Sequence, residues 1–144
     1  IMNNLSRELN KEDFTAIIST IEKNDDCKLE LMQDSLGTLW WTDMNSNYET
    51  EFRVSNLFGK KLIISRVAFK NKRIGTMTYV FNQLKNIAHN YNIPEIIMQS
   101  VQSYEMQCFC NKNNFKPVIS TTCEMEDRQG RKFLIGDYSY ILEQ

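Results

Sequence analysis

The feature that most constrains the fold is an amphipathic segment between two runs of β-forming residues. In residues 75–91, apolar side chains recur at steps of three and four, the spacing of one helical face. Residues 61–69 before it and 95–101 after it each hold a block of aliphatic side chains typical of a buried strand. A helix that joins two buried strands is a crossover connection, so we predict that these strands are parallel neighbours in one sheet.

The elements before this unit are predicted from the same periodicities. Residues 5–9 favour a short first strand, and residues 11–23 an amphipathic helix that begins after the capping residue Asn10. Residues 27–36 are predicted to form a short helix. Residues 38–42 are rich in β-forming side chains and residues 50–55 alternate apolar with polar, so both are predicted strands. The break at 56–60, which contains Gly59, predicts a hairpin into the strand at 61–69.

The C-terminal third completes the predicted order. Residues 103–113 favour a helix, and residues 116–126 and 131–141 favour two strands joined by a turn at 127–130. The fold class is therefore α+β. We predict a mixed, mostly antiparallel central sheet with one parallel step between the fourth and fifth strands and about four flanking helices. We expect residues 1–144 to form a single domain.

Composition narrows the range of functions. The 144 residues carry 17 Lys and Arg against 18 Asp and Glu, so the net charge is −1, which disfavours nucleic acid as a partner. No apolar run is long enough to cross a bilayer and the first residues lack the order of a signal peptide, so we expect no membrane partner and a cytoplasmic location. The four cysteines lack CxxC spacing and only one histidine is present, so we expect reduced thiols and no metal site.

The segment between the fourth strand and the strong helix carries the chemistry. A short turn into a helix N-terminus presents unpaired backbone N–H groups at the positive end of the helix dipole. Here Lys70, Lys72 and Arg73 flank those groups, and Gly75 lets the backbone approach an anion closely. We interpret the segment as a site for a phosphate or pyrophosphate. The alternative is a solvated basic loop with Gly75 as a turn residue.

These residues resemble the signature of the GNAT superfamily of acyl-CoA N-acyltransferases. That signature is Arg or Gln, two residues, Gly, one residue, and Gly or Ala. Lys70 takes the first place, Arg73 the first glycine and Gly75 the second, while Ile74, Gly75 and Thr76 match the frequent sequence IGT. Downstream, Phe109, Lys112 and Phe115 match a second family stretch, in which Asn114 takes a glycine place and Ser103 an asparagine place.

The resemblance implies a coenzyme A site and an acyl-transfer site. The implied coenzyme contacts are Ser65, Val67, Phe69, Lys70, Asn71, Lys72, Arg73, Ile74, Gly75, Thr76 and Ser103. A backbone N–H near Ser65 to Val67 would polarise the thioester carbonyl in a slot between the splayed fourth and fifth strands. Cys110 takes the place of the tyrosine that commonly protonates the leaving thiolate.

The other catalytic candidates come from residue chemistry. Tyr104 is the nearest alternative acid, and Glu51 and Asp43 are candidate bases, with water as a substitute for either. Each has a plainer interpretation, because a buried cysteine is commonly an apolar filler and a carboxylate on a strand commonly faces solvent.

The resemblance predicts an N-acyltransferase with acetyl-CoA as the expected cosubstrate and an amine of a small molecule or protein as the acceptor. The alternative is a catalytically silent GNAT-like module that binds coenzyme or serves in regulation or interaction. A homodimer is compatible with either hypothesis.

Overall fold

The structure is a computed structural model that describes residues 9–45 and 49–143. The predicted first strand, residues 5–9, lies outside the described residues except for Leu9, which is buried and not in a strand. The predicted helix at 11–23 is confirmed as a 3₁₀ turn, Lys11–Phe14, that continues into α1, Thr15–Asp25. The Asn10 side chain caps this segment by accepting the N–H of Glu12 at 3.0 Å.

The remaining elements follow in chain order. Four strands precede the central helix: β1 (Glu30–Ser35), β2 (Thr38–Thr42), β3 (Glu51–Leu57) and β4 (Lys61–Ala68). The central helix and its successors are α2 (Thr76–Asn90), β5 (Glu95–Val101), α3 (Tyr104–Lys112), β6 (Lys116–Pro117), β7 (Cys123–Glu126) and β8 (Lys132–Ile141).

The sheet confirms the predicted crossover. Its strand order is β1-β2-β3-β4-β5-β8-β6, and β7 pairs with β8 off this path. The β4–β5 pair is parallel, with Ile63 opposite Ile97, and the other described pairs are antiparallel. The fold is therefore the predicted mixed, mostly antiparallel sheet with one parallel step.

Two local predictions are wrong. Residues 27–36 form strand β1 instead of a helix, because Leu36 and Gly37 make a two-residue turn with φ of 56° and 73° that folds β1 onto β2. Three α-helices therefore flank the sheet within residues 9–45 and 49–143, where about four were expected. The predicted strand 116–126 is also interrupted, since β6 ends at Pro117 and a 3₁₀ turn, Ile119–Thr121, separates it from β7.

Aromatic side chains form two centres of the core. Phe14 of the first turn packs against Trp41 and Phe52, with ring centroids 5.7 and 6.4 Å away. Phe81 of α2 packs against Phe115 and Tyr140, with both centroids at 5.1 Å. The first centre joins α1 to β2 and β3, and the second joins α2 to the C-terminal strands, so the core fixes both helices on the sheet.

The β4 and β5 strands diverge beyond their first four pairs. Their pairing ends at Ile64 opposite Met98, although both strands continue. Ser100 adopts a left-handed φ of 57°, and its N–H donates to Asp137 Oδ1 at 2.9 Å. The register of β5 against β8 shifts between Met98 and Val101, which places Val101 opposite Gly136. This irregularity bends β5 away from β4 and opens a slot between them.

Candidate active site

A cavity of about 820 Å³ lies at the junction of β4, α2 and α3. This volume is within the range of ligand-binding clefts. The cavity runs along the end of β4 and the following turn to the first residues of α2, and the start of α3 forms the opposite wall. Its lining includes these predicted coenzyme contacts: Val67, Phe69, Lys70, Asn71, Lys72, Arg73, Gly75, Thr76 and Ser103.

The N-terminus of α2 is open toward this cavity. Gly75 is the N-cap residue with φ of 88°, and no side chain caps the helix. The first backbone N–H groups of a helix have no acceptor within the helix, and they lie at its positive end. A Cβ atom at Gly75 would meet no atom within 4 Å, so the space above this residue is free of protein.

Arg73 occupies the place of the first family glycine with glycine-like backbone angles. Its φ is 64°, in the left-handed region that a non-glycine residue adopts only at a steric cost. The loop therefore keeps the backbone shape that glycine would provide, and it adds an exposed guanidinium to the cavity wall.

The fully buried carboxylate of Asp25 holds the beginning of the loop. Oδ2 accepts the N–H of Lys70 at 2.7 Å and the Thr50 hydroxyl at 2.6 Å, and Oδ1 accepts the N–H of Asn71 at 3.0 Å. These two loop amides are therefore satisfied by the protein, and the amides available to an anion lie further along, toward Gly75.

Asn24 connects the same end of α1 to both ends of the loop. The backbone carbonyl oxygen of Asn24 accepts from Asn71 Nδ2 at 2.8 Å, and the side-chain Nδ2 of Asn24 donates to Thr76 Oγ1 at 2.8 Å. The last turn of α1 thus fixes the loop at its entry and at the first residue of α2. We did not predict this role for Asn24 or Asp25, because their partners are distant in sequence and the local pattern resembles an ordinary polar helix end.

A second cavity of about 330 Å³ occupies the slot between the diverging strands. It shares four lining residues with the first cavity, Val67, Ala68, Ser103 and Met106, so the two adjoin. Ser65 and Glu51 also line it, and the Ser65 hydroxyl is buried without a hydrogen-bond partner among the described residues. Within the described part of the chain, the edge of β4 that faces β5 has no strand partner beyond Ile64.

The structure does not bring either predicted acid into the slot. Cys110 is fully buried in the hydrophobic core and lines neither cavity, and burial raises the pKa of its thiol to about 12. The ring of Tyr104 lies beneath the Arg131 guanidinium, 4.4 Å from its centroid, and Tyr104 also lines neither cavity. A hydrogen bond with Cys108 raises the pKa of Tyr104.

Glu51 lines the slot as a well-bonded carboxylate. Its Oε1 accepts from Trp40 Nε1 at 2.7 Å, and its Oε2 accepts from Arg66 Nε at 2.9 Å. Donors from the protein therefore occupy both carboxylate oxygens of Glu51. Asp43, the other candidate base, is buried and lines a third cavity of about 460 Å³, which shares Lys70 with the first cavity and does not include the slot residues.

Ile74 is the one predicted contact of the loop that lines neither cavity, and its side chain is 53% exposed. No group of three or more His, Cys, Asp or Glu side chains suited to a metal ion occurs within residues 9–45 and 49–143. None of the described helices is both long and apolar enough to cross a membrane.

Solved structures with the same architecture include acetyltransferases and probable acetyltransferases, some of them described as GNAT family members. The ribosomal-protein-S18-alanine N-acetyltransferase of Escherichia coli matches 96% of this chain and 93% of its own, with 11% identity and a TM-score of 0.54. A probable acetyltransferase of Staphylococcus epidermidis matches 95% and 98%, with 10% identity and a TM-score of 0.52. A probable GNAT-family acetyltransferase of Chromobacterium violaceum matches 94% and 86%, with 9% identity and a TM-score of 0.51.

The sequence itself matches no family model and no curated protein. The likeness therefore lies in the fold, over almost the whole length of the chain and of the three structures. The class that the fold defines is the GNAT acetyltransferase fold, and the chain is a divergent example of it. The predicted resemblance is confirmed at this level.

Proposed function

We propose that this protein is an N-acyltransferase that transfers an acyl group, with acetyl-CoA as the donor, to an amine. The main support is the juxtaposition of two features: an open helix N-terminus with flanking cations, and a slot between parallel strands that adjoins it. A diphosphate suits the first feature because helix-terminal amides bind anions. An extended thioester arm suits the second, because the free edge of β4 offers backbone hydrogen bonds along it.

The proposed reaction needs a held carbonyl, a neutral amine and a proton for sulfur. The amine nitrogen attacks the thioester carbon, the C–S bond breaks, and the thiolate of coenzyme A leaves. The amine gives up one proton to solvent and the thiolate gains one, so protons balance. We assign the oxyanion to a backbone N–H within residues 65–67 and to the Ser65 hydroxyl, because these residues line the slot and this hydroxyl has no hydrogen-bond partner among the described residues.

In this proposal, Ser103 and water handle the protons of the reaction. Ser103 lines both cavities, and its Oγ accepts the N–H of Met106 at 3.1 Å, so its hydroxyl can donate a hydrogen bond to the leaving thiolate while water supplies the proton. Because both oxygens of Glu51 are engaged, water is the proposed route by which the amine loses its proton. A cytoplasmic location with reduced thiols is part of the same proposal.

Coenzyme binding is tested by calorimetry with a matched pair of glycine variants. Gly75 and Gly130 both have positive φ, 88° and 77°, and neither has a neighbour within 4 Å of an added Cβ. Gly75→Trp places an indole over the amides of α2, so we expect it to abolish acetyl-CoA binding. Gly130→Trp carries similar backbone strain in the β7–β8 turn, away from both cavities, so we expect it to bind as the parent does.

Two results would contradict the proposal. If the parent gives no binding heat at millimolar acetyl-CoA, the coenzyme site is wrong. If it binds acetyl-CoA but releases no free coenzyme thiol with a broad panel of amines, the second candidate function holds, a catalytically silent coenzyme-binding module. The observation that favours this second candidate is the burial of Cys110. Cys110 takes the place of the family's acidic tyrosine, and its thiol does not reach the slot.

A further inference from the structure

Four side chains on one face of the sheet form a cluster beside the slot. We call it the arginine cluster, and it consists of Trp40, Glu51, Arg53 and Arg66. Arg53 lies directly opposite Trp40 on one side and Arg66 on the other in the strand register. The Arg53 guanidinium lies over the Trp40 ring, 5.7 Å from its centroid. The cluster is therefore a contiguous surface across β2, β3 and β4.

The charges of the arginine cluster do not balance. Its one carboxylate, Glu51, has a side chain only 6% exposed and is paired with Arg66 at 2.9 Å. Arg53 has no carboxylate partner among the described residues, and its Nε is buried there without a hydrogen-bond partner. Like charges directly opposite on neighbouring strands destabilise a sheet, so an anion bound at the exposed guanidinium of Arg66 and beside Arg53 would offset part of this cost.

The position of the cluster relates it to the proposed transfer. Glu51 and Arg66 line the slot cavity, and the Arg66 side chain is 59% exposed, so its guanidinium is accessible to a ligand. The slot cavity, at about 330 Å³, is near the lower end of the range for small-molecule sites and would also hold the end of the thioester arm, so the space left suits only a small acceptor. A small acceptor in the slot would contact Arg66 directly, and Arg53, which lines neither cavity, lies beside Arg66 across the β3–β4 pair.

We propose that the acceptor is a small amine that also carries a carboxylate, and that Arg53 and Arg66 bind this carboxylate. The inference rests on the proposed function. A guanidinium binds a carboxylate through paired N–H donors, and the site supplies one positive charge beyond what Glu51 neutralises. The acceptor carboxylate would be an ionic partner for the Arg53 guanidinium, which has no carboxylate partner among the described residues.

The test compares each of a panel of α-amino acids with its own amide as the acceptor. Release of the coenzyme thiol is followed, and kcat/KM is measured for each member of a pair. For the best acceptor we expect the acid-to-amide ratio of kcat/KM to fall about tenfold in Arg53→Gln, which corresponds to about 1.4 kcal/mol. Arg53→Lys, which keeps the charge, should recover part of the ratio. Comparison of variant with parent cancels the different amine pKa of acid and amide.

Arg128→Gln is the matched control. Arg128 is exposed in the turn between β7 and β8, so this variant removes the same charge away from the slot and should keep the parent ratio. Acetyl-CoA binding by each variant shows whether the fold is intact, and Arg53→Lys replaces Arg53→Gln if the latter does not fold.

The two proposals fail in different ways. If the parent acylates amines but the ratio is the same in the parent, Arg53→Gln and Arg53→Lys, the carboxylate site is wrong and the acyltransferase proposal stands. If the parent does not bind acetyl-CoA, the acyltransferase proposal is wrong and the acceptor inference falls with it.

Discussion

Asp25→Asn tests whether the end of α1 fixes the coenzyme loop. The carboxylate accepts three hydrogen bonds, two on Oδ2 and one on Oδ1, and it is fully buried. An asparagine that keeps its carbonyl oxygen at the Oδ2 position retains the bonds from Thr50 and Lys70. Its amide nitrogen then faces the N–H of Asn71, so one charge-assisted hydrogen bond is replaced by two opposed donors.

The expected loss follows from that single bond. A hydrogen bond to a charged group contributes about 1.5–3 kcal/mol, so we expect a loss of about 2 kcal/mol in the free energy of unfolding. For a domain of this size that lowers Tm by about 4–8 °C. The loop amides also lose their fixed orientation, so we expect acetyl-CoA affinity to fall at least about tenfold, measured by calorimetry below Tm.

Asp26→Asn is the matched control, with the same chemical change one residue later. Asp26 is exposed and has a left-handed φ of 50°, which asparagine tolerates well. The free energy of unfolding of Asp26→Asn should therefore stay within about 0.5 kcal/mol of the parent's. Equal Tm values and equal acetyl-CoA affinities for the two variants would refute the anchoring role of Asp25.

Two further predictions concern stability. Burial raises the pKa of Cys110 to about 12 against about 8.5 for an exposed thiol, so above pH about 9 the unfolded chain loses a proton that the folded chain keeps. Above pH about 9 the free energy of unfolding should fall by about 1.4 kcal/mol per pH unit because of this thiol, and below pH about 8 the thiol should have no effect. Cys110→Ala should reduce this pH dependence, measured by urea unfolding at several pH values. Equal pH dependence in the parent and the variant would contradict the argument. Gly136→Ala should destabilise by about 3 kcal/mol, since φ is 134° and the added Cβ would lie 2.6 Å from the Thr121 carbonyl oxygen and 2.9 Å from Thr122 Cα. Gly130→Ala, with open space at its Cβ, should lose only about 1 kcal/mol in thermal unfolding, and similar losses for both glycines would refute the steric argument.

The central crossover was predictable because its signal is local and strong. The apolar face of α2 spans many turns, and the aliphatic runs of β4 and β5 leave few alternatives to a parallel pair. Strand β1 was not predictable in the same way, because its hairpin turn at Leu36 and Gly37 lacks the asparagine or aspartate that usually marks such a turn. The spacing of Leu29, Met32 and Leu36 suited a weak helix equally well.

Most of the candidate site was predicted from one continuous segment, and Ser65, Ser103 and Glu51, which also line the cavities, were the predicted residues outside it. Residues 67–76 contain their own signal, since a strand end, cations and a glycine precede a strong helix. Asp25 lies 45 residues before its partner Lys70, and the pairing of Arg53 with Arg66 depends on an irregular register between β3 and β4. Such contacts arise from tertiary packing, and a single sequence carries no local pattern for them.

The last described strand completes the slot. The side of β5 away from β4 pairs with β8, which is the strand nearest the C-terminus and also the partner of β6 and β7. During synthesis, β5 therefore exposes an unpaired edge next to Ile96 and Ile97 until residues 132–141 have left the ribosome. The bend at Ser100 depends on the same strand through Asp137, so the opening between β4 and β5 takes its final shape only once β8 has paired with β5.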